Sequence, residues 1–106
     1  MITITIDKSK GAYRLLESKG HAGYSEYGSD IVCAAVSVLL INAVNSIETY
    51  TQADIEYSME EGFLSLRFLG TAGPEATLLM DSLVLGLESI ETHYGKKHIH
   101  IQIKEV

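Results

Sequence analysis

The sequence predicts an α+β fold: a single domain, residues 1–106, with two helices against a mixed, mostly antiparallel sheet in the order ββαββαβ. Three observations carry this prediction. Apolar and polar residues alternate in four short segments, the period of a half-buried strand. Two long apolar stretches are bounded by residues that start and stop helices. Short turn-forming links separate the strands in pairs, which favours hairpins.

Met1 to Ile6 places Ile2, Ile4 and Ile6 on one face and predicts the first strand. A polar link, Asp7 to Gly11, leads to a second strand from Ala12 to Lys19. Next comes Gly20 to Gly28, GHAGYSEYG, with Gly20, Gly23 and Gly28 and no apolar periodicity. It is expected to be a mobile gate, because glycine leaves many backbone states open. The rival expectation is a fixed loop held down by Tyr24 and Tyr27. A helix follows from about Asp30 to Thr49, with Asp30 as its N-cap. Ile31 to Val44 is apolar nearly all round, so this helix should be covered on more than one side.

Asp54 to Met59 and Gly62 to Leu69 both alternate, and the intervening Glu60, Glu61 and Gly62 predict a tight hairpin. Pro74 suits the first turn of a second helix running to Tyr94, and Gly95 its C-terminal cap. His98 to Glu105 alternates last, with Ile99, Ile101 and Ile103 on one face and His98, His100 and Gln102 on the other. Because it follows a helical crossover, this strand is able to pair in parallel.

With 106 residues and 46% hydrophobic composition, the chain has enough apolar material for one core without a staple. The single cysteine makes an intrachain disulfide impossible. Together with an N-terminus that reads as a strand, this points to a reducing, cytoplasmic location. The longest apolar run, Ile31 to Val44, is shorter than a membrane span and carries Ser37 and Asn42, so no membrane partner is expected. A net charge of −6 argues against nucleic-acid binding and favours a basic or neutral partner.

Cys33 falls in the first turn of the predicted helix, three positions after Asp30. Unpaired N–H groups and the helix dipole favour an anion there, and a thiolate is the nucleophilic form of cysteine. His21 lies twelve positions upstream in the glycine-flanked segment, close enough to fold back over the helix start as a base. Chemistry and spacing leave a second reading open, since a free cysteine on an apolar helix is commonly inert packing. Asp30 is likewise open between capping the helix and orienting His21. His98 and His100 share a strand face but lack further ligands, so no metal is expected, and both read as solvent-facing. His93 reads as a partner for a helix C-terminus.

The stretch GHAGYSEYGSDIVCAAVSVL resembles the signature of the ribosomal-processing cysteine protease family, Prp. The matching residues are Gly20, His21, Ala22, Asp30, Cys33, Ala34 and Ser37, and chain length and element order also resemble the family. The resemblance implies a homodimeric endopeptidase that needs no cofactor. Such enzymes remove a short N-terminal extension from large ribosomal subunit protein twenty-seven, cutting after paired bulky aromatic residues and before a small one. It also implies Cys33 as nucleophile and His21 as base, with Gly20 as a hinge or backbone donor and Asp30 and Ser37 in support. Ala22, Tyr24 and Tyr27 are the candidates for substrate contact. The implied chemistry is acyl transfer through a thioester, with oxyanion donors sought among N–H groups near the helix start or Gly20. Two other classes stay on the table: a non-catalytic ribosome-assembly or dimerisation module, and a single-cysteine redox protein needing an external resolving thiol.

Overall fold

The computed structural model describes residues 1–26 and 29–106. The elements are β1 (Ile2–Ser9), β2 (Ala12–Lys19), α1 (Ile31–Tyr50), β3 (Ile55–Glu60), β4 (Phe63–Phe68), α2 (Gly73–Tyr94) and β5 (Ile99–Glu105). The order ββαββαβ is the expected one, and five strands form one mixed sheet, β3-β4-β2-β1-β5. Three pairings are antiparallel; β1 and β5 run parallel, with Ile2 opposite Ile99 and Ile6 opposite Ile103.

The first hairpin is tighter than the sequence suggests. Asp7 to Ser9 is strand rather than link, and only Lys10 and Gly11 turn, both with positive φ (52° and 79°). Two successive left-handed residues match the twist of a two-residue hairpin, and β2 carries one extra residue, Arg14, at the register shift opposite Asp7/Lys8.

Cross-strand register places Ile4, Ser18 and Leu64 on one face, followed by Ile6, Leu16 and Leu66, and that face is buried under both helices. Val32, Val36, Leu40, Val44 and Ile47 of α1, spaced by three or four residues, join Ala76, Met80, Leu83 and Leu87 of α2 in the same core. The result is a two-layer sandwich. α1 has a mean hydropathy of 1.9, apolar and long enough on those grounds to cross a membrane. In the structure it is half of a core layer instead, while Val38 (67% exposed) and Ile41 (42%) face outward.

β5 is an edge strand, and Glu91 of α2 covers part of that edge by accepting a hydrogen bond from Ile101 N–H at 3.0 Å and lying 3.4 Å from His100 Nδ1. Tyr13, buried on β2, donates to Asp81 of α2 and ties helix to sheet. Burial, then the bond to Asp81 and the charges of Asp81 and Glu88, push the Tyr13 phenol well above its ordinary range.

Candidate active site

The site is built around the start of α1. Asp30 has extended backbone (φ −80°, ψ 105°), and its Oδ1 accepts from Val32 N–H at 2.9 Å and Cys33 N–H at 3.0 Å. Its Oδ2 accepts from Tyr24 N–H at 2.9 Å and Ser25 N–H at 3.2 Å, so one carboxylate both caps the helix and pins the loop before it. Burial opposes ionisation of this carboxyl. The four N–H donors, from Cys33, Ser25, Tyr24 and Val32, outweigh it and hold the group below the usual carboxylate range.

Cys33 is half-buried on the first turn, and its Sγ accepts a hydrogen bond from Ala22 N–H at 3.2 Å. This folds the His21–Ala22 segment back over the helix start. Gly20, His21, Cys33 and Ser37 line one cleft of about 420 Å³, with α1 on one side and the β3–β4 hairpin on the other. Ser37 sits one turn beyond Cys33 on the same helix face. The cleft has an apolar floor that includes Ile2, Val36, Leu40, Met59 and Phe63, and an acidic rim at Glu60 and Glu61.

Several of these positions were not found from sequence as site residues. Ser18 is buried on β2 and reaches the cleft because it stands between Ile4 and Leu64 in register. Gly62 presses its Cα side against the His21 imidazole: a Cβ there would lie 3.1 Å from Nε2. The turn chemistry of Gly62 was legible, since its φ is +72°, but its neighbour was not. Gly20 donates its N–H to Gly62 O at 2.9 Å, and a Cβ on it would collide with the Met1 carbonyl. It is therefore a close-approach glycine whose donor is already engaged.

The expected oxyanion donors fare similarly. The N–H groups of Val32 and Cys33 go to the Asp30 side chain, Ala34 N–H goes to Asp30 O at 3.1 Å, and Ala22 N–H goes to Sγ. Among these, only the Ala22 donor points at the Cys33 sulfur.

Of the candidate substrate contacts, Ala22 has its methyl buried in the core, and its backbone is what meets the site. Tyr24, 46% exposed, packs edge-on against Tyr94 and His98, with ring centroids 5.3 and 5.2 Å away. Tyr27 and Gly28 lie outside the described residues. His98 is not solvent-facing as its alternation suggests. It precedes β5, and its Nδ1 is 3.0 Å from Ala22 O, a contact across 76 positions that periodicity cannot reveal. His93, in the last turn of α2, packs edge-on against Tyr94.

Comparisons with known proteins agree on one family. The family model described as cysteine protease Prp matches residues 1–100. The ribosomal processing cysteine protease Prp of Staphylococcus aureus is 35% identical over 99 residues, covering 91% of this chain and 93% of that protein. The crystal structure of the S. aureus protease with a covalently linked product peptide superposes with a TM-score of 0.92 at 32% identity, over 98% of this chain and all of that one (100%). The same enzyme with a substrate peptide gives a TM-score of 0.86 at 31% identity, over 98% and 100% of the two chains.

Proposed function

The chain belongs to the cysteine protease Prp family, and from that membership we propose that it removes the N-terminal extension of large ribosomal subunit protein twenty-seven, with Cys33 as nucleophile and His21 as base. The observation that carries the assignment is Cys33 Sγ, held by Ala22 N–H at 3.2 Å in a cleft that His21 also lines. The sulfur is in the first turn of α1, where the helix dipole favours a thiolate.

The reaction is acyl transfer. His21 takes the thiol proton, and the sulfur attacks the scissile carbonyl carbon to form a tetrahedral oxyanion. Collapse breaks the C–N bond, and the imidazolium gives its proton to the departing amine. Water, deprotonated by His21, then hydrolyses the thioester and restores the thiol. The apolar floor at Met59, Phe63, Val36 and Leu40 suits the bulky aromatic residues that family resemblance places before the cut. A peptide covalently linked to the S. aureus enzyme is in keeping with an acyl-enzyme route. A chain of net charge −6 suits a basic ribosomal protein as its partner, and a lone thiol suits the reducing cytoplasm. The enzyme works as a homodimer and needs no metal or cofactor.

The test is to mix the purified enzyme with the extended ribosomal protein and locate the cut by mass spectrometry. Cys33→Ser and His21→Ala are each expected to abolish cleavage with the fold kept, because the pair acts as one unit. Cutting by Cys33→Ser at a rate near wild type overturns the assignment.

A further inference from the structure

His98 stands at the junction of α2 and β5, on the far side of the His21–Ala22 segment from the helix that carries Cys33. Its backbone is held from both directions: its N–H donates to Gly95 O at 3.1 Å, and its carbonyl accepts from Ile2 N–H at 2.9 Å. Its ring is held by the edge-on contact with Tyr24. Nδ1 lies 3.0 Å from Ala22 O. A carbonyl oxygen only accepts, so Nδ1 is the donor and carries the proton.

The same residue, Ala22, donates its N–H to Cys33 Sγ at 3.2 Å. The two groups belong to successive peptide planes that meet at the Ala22 Cα, whose methyl is buried in the core. With the methyl fixed and one plane tied to His98, the other plane is oriented toward the sulfur. It also carries the backbone of His21. We propose that His98 is a positioning residue for Cys33, holding the Ala22 N–H on the sulfur as a donor that favours thiolate over thiol. The inference rests on Cys33 being the nucleophile, and it adds a residue brought to the site by the last strand.

Three variants separate the hydrogen bond from the packing. His98→Phe keeps a ring against Tyr24 and removes the donor; His98→Asn places an amide N–H near the position of Nδ1; His98→Ala removes both. Each is followed by the rate of iodoacetamide alkylation of Cys33 from pH 5 to 9, after a thermal melt has shown that it is folded. His98→Phe is expected to move the midpoint of the alkylation curve about half a unit to one unit to the alkaline side, slowing the reaction near neutrality about three- to tenfold. His98→Asn is expected to follow wild type. A His98→Phe curve that superposes on wild type, or a His98→Asn curve displaced as far as His98→Phe, overturns the proposal. Alkylation reads the sulfur directly, so this result is independent of whether Cys33→Ser abolishes cleavage, the test on which the protease assignment stands.

Discussion

At the scale of single residues, Asp30 and Gly62 shape the surroundings of Cys33 and His21. Asp30 is buried, and its carboxylate satisfies four backbone N–H groups, two from the first turn of α1 and two from the loop before it. Its folded-state ionisation lies below that of an unfolded chain, so its contribution is fully present above the ordinary carboxylate range and is lost as acid titrates it in the folded protein. Asp30→Ala is expected to cost at least about 1 kcal/mol as a lost cap, with further loss from the loop, and to flatten the acid limb of stability against pH. Asp30→Asn, a good cap, should recover part of the stability but not the acid dependence. An unchanged acid limb in either variant counts against this account. Gly62 makes a complementary case. Gly62→Ala places a Cβ 3.1 Å from His21 Nε2 on a backbone with φ +72°, whereas Gly11→Ala meets the same strain at φ +79° with nothing within 4 Å. Both are expected to lose about 1 kcal/mol of stability. Only Gly62→Ala should also lower kcat/KM, by about tenfold or more, because it displaces His21, the proposed base. Equal kinetics for the two would separate His21 from the hairpin.

At the scale of elements, residues 20–25 are anchored at several points. Gly20 is tied to the β3–β4 turn, Ala22 to Cys33 and His98, and Tyr24 and Ser25 to Asp30. His21, between Gly20 and Ala22, lines the cleft. Glycine content predicts a gate, whereas the hydrogen bonds at Gly20, Ala22, Tyr24 and Ser25 are those a fixed loop would use. Amide exchange distinguishes the two. The Ala22, Tyr24 and Ser25 amides of the free protein are expected to be protected, and to change little when Cys33→Ala holds substrate. Fast exchange at these three amides that slows on binding would favour the gate over the fixed loop.

At the scale of the whole molecule, one layer of sheet and one neighbouring helix cannot cover an all-round apolar helix. Ile31, Ala34, Val38 and Ile41 of α1 remain exposed. Apolar area of this extent is normally covered, and a twin subunit would repeat the same patch on both sides of a two-fold axis. Light scattering at micromolar concentration is expected to give twice the monomer mass, and Val38→Glu to give monomer, because it buries a charge on the patch. A wild-type protein that is monomeric throughout rejects the dimer.

What the sequence by itself determined is what local chemistry can specify. Alternation set the strands to within a few residues, Asp30 marked the helix start three residues before Cys33, and the span from His21 to Cys33 is short enough to be seen as one unit. The limits of that reading are also local: the length of β1 depended on its partner strand and on the turn at Lys10 and Gly11. Tertiary structure alone decided which distant groups meet. Parallel pairing of β5 with β1 carries His98 to a residue 76 positions away, and the β3–β4 hairpin brings Gly62 against His21 and Glu60 and Glu61 to the cleft rim. Hydrophobic periodicity tells a strand which face to bury, not which neighbour to choose; that choice follows from how the helices cover the sheet, and the site inherits it.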